Sequence, residues 1–399
     1  MKSKLVRSFV VLALLLGIAV TAQAQDSDPA AQVAADNNAF AFDLYQAIRS
    51  QDGNLILSPY SISQALALVY AGAKGTTEQQ MAETLHFTLP QNELHSAFAA
   101  LDASVRPADD SFRLNIANAL WGQQGFAFLP DFLTLLENNY GAGLQEVDYN
   151  DPEAAREMIN QWVSDQTEDL IPDLITEGVL TPETKLVLTN AIYFKAAWDA
   201  EFDPNFTSDA PFMLLDGSSV NVPMMGQTGG YSYTSGEGYQ AVLLPYDGEQ
   251  AAMLMIVPDS GQFEAVESAL AAEMYTSVLD ALQPMTVSLR MPLFEYRADF
   301  ELAEPLAALG MADAFSGDAD FSGMTGQRDL SIDAIVHQAY IKTTEEGTEA
   351  AAATAIEMGA TAIMPDIDLN IDRPFLYFLI DQPTRTILFM GRVLNPAES

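Results

Sequence analysis

Three histidines, His86, His95 and His337, and no cysteine are all that this 399-residue chain offers for imidazole, thiol or soft-metal chemistry. A Ser-His-Asp triad needs a histidine held between a nucleophile and a carboxylate. No serine here sits in a G-x-S-x-G elbow, and His86 and His95 fall in a polar turn and on a surface-like helix. Zinc would need clustered nitrogen or sulfur ligands, yet the chain has no H-E-x-x-H and no thiolate. Gly229-Gly230 and Gly236 lie among tyrosines and serines in a hairpin-like region, without the lysine or helix start of a phosphate cradle. With 55 acidic residues, carboxylate pairs suited to glycoside hydrolysis arise everywhere by chance, and a solvated surface is the default for each. The expectation is a protein that is not an enzyme and that uses no cofactor and no metal.

The chain does contain one segment with two structural homes, Glu345 to Met364, reading EEGTEAAAATAIEMGATAIM. Ala350 to Ala353 favour helix by propensity, but no bulky apolar stripe at i, i+3, i+4 would anchor such a helix. At period two the pattern is cleaner. Thr348, Ala350, Ala352, Thr354, Ile356 and Met358 share one uncharged face, while Glu349 and Glu357 share the other with Ala351, Ala353 and Ala355. This is a strand able to enter a sheet with one face buried, beside Gly347, where the backbone turns easily.

The elements that must position this segment read as mixed α+β in one large domain. Helical patterns run from Asn37 to about Ser50, Tyr60 to about Gly72 behind the helix-starting Pro59, Asp131 to Tyr140, Pro152 to Thr167, and Phe263 to Ala281. Strand patterns cover Arg113 to Leu120, Leu186 to Phe194, Tyr239 to Pro245, Ala251 to Val257, Thr286 to Pro292, Phe375 to Asp381 and Thr386 to Val393. Helices dominate the first half and strands the second, with no internal repeat and no low-complexity tract.

A 49% hydrophobic chain with 18% charged residues can bury a large core. At its start, Lys2, Lys4 and Arg7 precede an apolar run from Phe9 to Val20, and Ala22-Gln23-Ala24 follows with small residues at cleavage positions. Residues 1–24 therefore read as a secretory signal peptide cleaved after Ala24, residues 25–35 as a short polar linker, and 36–399 as one folded domain. Losing residues 1–24 removes three positive charges and no negative ones, moving the formal charge from −38 to −41. Such a surface repels nucleic acid and anionic lipid, so neither is an expected partner. The absence of cysteine excludes disulfides and lipid attachment at a processed N-terminal cysteine. The expected location is extracellular.

Several separated motifs stand in a fixed order along the chain: Leu57-Ser58-Pro59-Tyr60-Ser61-Ile62-Ser63, Ala71-Gly72-Ala73-Lys74-Gly75-Thr76-Thr77, Ile159-Asn160-Gln161-Trp162-Val163 and the run Leu188 to Trp198, LTNAIYFKAAW. Ile335-Val336-His337-Gln338-Ala339, Glu345 to Ala351, Arg373-Pro374-Phe375 and Phe389-Met390-Gly391-Arg392-Val393 complete the series. In their order and spacing, which cover nearly everything from Asn37 to Pro396, these motifs resemble the serpin family of serine protease inhibitors. The compact signal peptide suggests a bacterial source.

The resemblance implies a serpin fold of three β-sheets and about nine helices, with an exposed reactive-centre loop that a target protease treats as substrate. It also implies a monomer that forms a covalent acyl-enzyme complex with a serine protease and then inserts the cleaved loop into its central sheet. On the matching positions, Glu345, Gly347, Thr348, Ala350, Ala351, Ala352 and Ala353 form the loop hinge. Ser58, Ser61, Asn190 and His337 form a polar cluster controlling sheet opening, and Trp198 is the aromatic at the top of the sheet. Each has a plainer reading: Ser58 caps the helix after Pro59, His337 is a satisfied core histidine and Trp198 a core aromatic.

The family's count from the hinge glycine places the reactive bond at Thr361-Ala362, with Ile363-Met364 as the alternative, because the stretch from Thr361 to Phe375 is about two residues longer than the family pattern. Residues 359–363 are Gly, Ala, Thr, Ala and Ile, which suit a small specificity pocket and hence an elastase-like or subtilisin-like target. Within the same fold the alternative is a non-inhibitory binding or carrier protein. Such members often carry charged or bulky residues where this chain has Ala350 to Ala353.

Overall fold

The computed structural model describes residues 28–107, 111–141, 144–348 and 364–398. The signal peptide 1–24, the hinge alanines Ala350, Ala351, Ala352 and Ala353, and the reactive-bond residues Thr361, Ala362 and Ile363 lie outside the described residues.

The first half of the chain runs α1 (Pro29–Ile48), β1 (Leu55–Leu57), α2 (Pro59–Tyr70), α3 (Gly75–Thr84), α4 (Gln91–Val105), β2 (Phe112–Gln123), α5 (Pro130–Tyr140), β3 (Leu144–Val147), α6 (Pro152–Gln166) and β4 (Leu186–Ala197). Strands then take over with β5 (Ser208–Met213), β6 (Ser219–Gly236), β7 (Tyr239–Pro245) and β8 (Ala251–Pro258), followed by α7 (Phe263–Ser268) and α8 (Ala272–Ala281). Last come β9 (Gln283–Pro292), β10 (Phe294–Glu301), the single turns α9 (Ala303–Leu306) and α10 (Ser322–Thr325), β11 (Ala334–Thr343), β12 (Gly347–Thr348), β13 (Ile367–Asn370), β14 (Phe375–Asp381) and β15 (Thr386–Val393).

Six strands form one sheet in the order β10-β11-β12-β4-β2-β3. Nine form another, ordered β1-β15-β14-β8-β7-β6-β9-β13 with β5 on β6. The long β6 pairs with β5 at its start, with β9 through its middle and with β7 at its end. It thereby joins into one path what the family description counts as two of three sheets.

Two departures from the sequence-based expectations have local causes. Residues 29–35 are the first turns of α1 rather than linker: Asp28 accepts a hydrogen bond from the Ala30 N–H at 3.1 Å, Pro29 takes the first helical turn, and Val33 and Ala34 are buried. The helix expected from Phe263 to Ala281 is two helices, because Leu270 turns into the core between them.

The main core fills the space between the sheets and beneath α1 and α2, which bury Phe40, Leu44, Tyr60 and Leu66. A second core lies on the other face of the six-stranded sheet. There α6 and residues 171–180 cover Val187, Ala191, Ala334 and Val336 with Ile159, Val163, Ile171 and Ile175. This part of the sheet is therefore buried on both faces. Among the described residues no helix is long and apolar enough to cross a membrane, and no group of three side chains could hold a metal ion.

Candidate functional site

β4 and β11 run parallel as direct neighbours only from Val187–Ala334 to Ile192–Ala339. Above that level they part, and β12 enters between them from the top. Gly347 pairs with Ala197 and Thr348 with Ala196 on β4, while Thr348 also pairs with Thr343 on β11. The sheet is thus split, closed below and wedged open above by two residues.

Chemistry at the wedge accounts for those two residue types. Gly347 has φ +153°, and a Cβ there would overlap the Ala196 carbonyl oxygen and the Ala197 Cα. Thr348 is 1% exposed, with its hydroxyl 2.6 Å from the Tyr246 hydroxyl. Burial pushes that phenol well above its ordinary pKa. Trp198 stacks on Tyr246 with centroids 4.5 Å apart, donates from Nε1 to the Thr344 carbonyl at 3.0 Å, and donates from its backbone N–H to the Glu346 carbonyl. Glu345 is held from β4's exit as well: the Phe202 N–H donates to its carbonyl and the Thr207 hydroxyl to its Oε1. Glu345, Gly347, Thr348 and Trp198 therefore form one cluster at the head of the split.

Ser58, Ser61, Asn190 and His337 form a second cluster, all fully buried, where the split closes. Asn190 and His337 are the paired residues of β4 and β11 at this level. The Ser58 N–H donates to His337 Nε2 at 3.2 Å, which leaves Nδ1 to donate to the Asn190 side-chain oxygen. Asn190 Nδ2 donates to Ser61 Oγ and to Asn118 Oδ1, and Asn118 Nδ2 donates to the Ser61 carbonyl and to Gln64 Oε1. Ser58 Oγ both caps α2 by accepting from the Ser61 N–H and donates to the Leu388 carbonyl. The imidazole in this arrangement is neutral: burial lowers its pKa to about 3, with the bond to Asn190 as a smaller opposing effect.

The two remaining histidines stand apart from both clusters. His86 lies in a turn, 2.6 Å from Asp43. His95 is buried rather than on a surface, packed edge-on against Tyr140 with Nδ1 2.6 Å from that hydroxyl, so α4 turns it inward. Met364, the far side of the alternative reactive bond, is 88% exposed. Sequence reasoning missed Asn118, Gln64 and Tyr246. A lone Asn within the otherwise apolar run Ile116 to Trp121 was the one available signal.

A family model described as Serpin (serine protease inhibitor) matches residues 35–396. The leukocyte elastase inhibitor of Sus scrofa is 40% identical over 381 residues, covering 92% of this chain and 100% of that protein. An uncharacterized serpin-like protein of Thermococcus kodakarensis is 39% identical over 367 residues, covering 90% of this chain and 85% of its own. Among solved structures, human thyroxine-binding globulin superposes with TM-score 0.86 at 34% identity, covering 93% of this chain and 100% of its own. Uncleaved ovalbumin does so with TM-score 0.84 at 28% identity, covering 91% and 100%.

Proposed function

This chain belongs to the serpin family, and from that premise we propose that it is a secreted, monomeric suicide-substrate inhibitor of elastase-like or subtilisin-like serine proteases. The observation that carries the reading is the register of β12. An antiparallel strand steps back one residue on both neighbours for each residue it advances. Continued from Thr348, residue 350 would oppose Phe194 and Ile341, 352 would oppose Ile192 and Ala339, 354 would oppose Asn190 and His337, and 356 would oppose Leu188 and Ile335. All eight of these neighbours are buried. The uncharged face written in residues 348–358 is the face that would meet them, and the slot ends at Leu186 and Ala334 where the segment's pattern ends.

Two polar details support the same reading. Thr354 would enter where Asn190 and His337 now bond directly, so its hydroxyl can replace the contact that separation breaks. Glu349 would face outward at the uncovered upper level. Glu357 would face Val187 and Ala334, beneath the second core, so α6 and residues 171–180 have to lift before the strand is complete.

In the proposed cycle the target's serine attacks the Thr361 carbonyl, the Thr361–Ala362 bond breaks, and Ala362 leaves as a free amine. The segment up to Thr361 stays esterified to the protease and enters the split before water attacks. The resemblance to leukocyte elastase inhibitors and the small residues at 359–363 both support a small specificity pocket. The resemblance to thyroxine-binding globulin favours a carrier role instead, but the small hinge residues and the register favour insertion.

A gel assay tests the proposal. Mixed with elastase- and subtilisin-like enzymes, the protein is expected to give an SDS-stable adduct and a new N-terminus at Ala362. An N-terminus at Met364 would move the bond, and cleavage without adduct by every such enzyme would leave the carrier reading. Export followed by sequencing should show Gln25 first.

A further inference from the structure

We propose that a cavity between α2, α4, β2 and α6 is a binding site for a neutral monosaccharide, and that its occupant holds the six-stranded sheet closed. The regulatory half rests on the insertion reading above; the binding half does not. The cavity measures about 310 Å³, at the small end of ligand pockets, which suits one ring rather than a chain.

The lining has the chemistry of a sugar site. Its mouth carries Gln145 of β3 and Gln166 of α6, both exposed, and its floor carries Gln64 of α2 and Asn118 of β2, both buried. Between them stand one ion pair and one indole. Arg106 donates from Nε and Nη2 to Asp102 at 2.8 and 3.3 Å, and among the described residues of the lining these two alone are charged. The wall is therefore polar without net charge, in a protein whose formal charge of −38 repels anions. A guanidinium has five donors, of which Asp102 takes two, and a carboxylate oxygen such as Asp102 Oδ2 accepts more than the single bond from Arg106 Nε. Such a donor and acceptor side by side match neighbouring ring hydroxyls, each of which both donates and accepts. Half-buried Trp162, edge-on to Trp121 with centroids 5.5 Å apart, adds the flat apolar surface that the C–H face of a pyranose packs against.

The cavity floor is continuous with the lower polar cluster. Asn118 Nδ2 donates to Gln64 Oε1, and Asn118 Oδ1 accepts from Asn190, the residue of β4 bonded to His337. Under the proposed insertion β4 parts from β11 by about one strand spacing, ~4.8 Å, and β2, paired with β4 from Phe112 to Gly122, goes with it. α2 is held back, because the Ser58 N–H bonds to His337 on β11 and Ser58 Oγ to the Leu388 carbonyl on β15. α4 stays with α2 through the bonds from Tyr60 and Gln64 to Asp102. The walls of the cavity thus stand on two bodies that insertion slides apart. A ring touching both binds the closed sheet better than the expanded one, and it shifts the equilibrium by that difference in affinity.

The test titrates glucose, galactose, mannose and N-acetylglucosamine singly into the intact protein by calorimetry, with citrate as an anionic probe. At least one sugar is expected to bind with Kd on the order of 1 mM. Trp162→Leu should weaken that binding about tenfold, the worth of a stacked ring. Gln166→Ala, at an exposed position that the fold does not need, should weaken it about threefold. Protein cut in its loop by a protease that is not trapped, and showing a raised Tm, should bind the same sugar about fivefold more weakly or worse. Saturating sugar should raise the moles of inhibitor consumed per protease. No binding by any of these sugars, or equal binding by wild type, Trp162→Leu and Gln166→Ala, overturns the site. Binding of citrate instead, lost in Arg106→Gln, overturns the neutral ligand. Equal affinity of the intact and the cleaved, heat-stabilised protein overturns the regulation. If cleavage raises no Tm, the insertion reading has failed, and the titrations of the intact protein still decide the site.

Discussion

The upper and lower ends of the same split in the six-stranded sheet are built on opposite principles. At the top, β12 already separates β4 from β11, and the outer face is half exposed. At the bottom the two strands bond directly, a second core covers the outer face, and the polar atoms of one rung are satisfied internally around a neutral imidazole. Separation at the top exposes little apolar surface and breaks no ladder. Separation at the bottom breaks six paired positions and uncovers buried aliphatics. A strand entering this sheet has an inexpensive beginning and a costly end. Under the proposed insertion, that asymmetry favours an intact protein with the first two residues already in place.

The largest expected effect comes from closing the entrance. Thr348→Arg puts a guanidinium where a hydroxyl now meets Tyr246 under Trp198, and an unpaired charge in such a site costs several kcal/mol. The variant should fold with its hinge expelled and be cleaved as substrate with no covalent adduct on an SDS gel. A full yield of adduct would mean that the top of the split is not where entry begins.

Acid probes the bottom. The folded-state pKa of His337 lies at about 3 against an ordinary 6.5, so below 6.5 the unfolded chain binds a proton that the native chain does not. Its contribution is fully present above that pH and is lost as pH falls toward 3, on the order of 3–5 kcal/mol in all. His95, lowered to about 4 by burial, acts in the same direction over a narrower window. His337→Gln should therefore flatten the dependence of stability on pH between about 6.5 and 3, and His95→Gln should flatten it less. Equal slopes in wild type and His337→Gln would remove the contrast between the two ends.

How much of this was legible in advance follows the range of the interactions. β7, β14 and β15 were read to the residue, because apolar runs bounded by turn residues announce themselves locally. β10 and β11 were not read as strands: β10 alternates charges with aromatics, and β11 carries His337 and Gln338 within an apolar run. The hinge and the polar cluster were named through family resemblance, and the chain's own pattern supplied the two faces of residues 348–358. Asn118 was missed because a single polar residue in a strand looks like an exposed rung until α2 is packed against it. The split itself depends on pairing between residues nearly 150 positions apart. No local pattern carries that.

The smallest effect separates the wedge from the segment that follows it. In Gly347→Ala the added methyl would meet the backbone of Ala196 and Ala197, and φ +153° is unfavourable for alanine, so β12 has to shift or withdraw. Withdrawal loses the pairing of two residues and the Thr348–Tyr246 bond, about 1–2 kcal/mol, while the lower end keeps every contact. The intact variant should therefore melt a few degrees lower with an unchanged acid profile, since His337 lies well below the wedge. Hydrogen exchange should rise at the amides of Trp198 and Phe202, which now donate to Glu346 and Glu345, and remain slow at Asn190 and His337. If exchange rose equally at both ends, the split would open as one unit, and the wedge would be holding the whole sheet rather than its entrance.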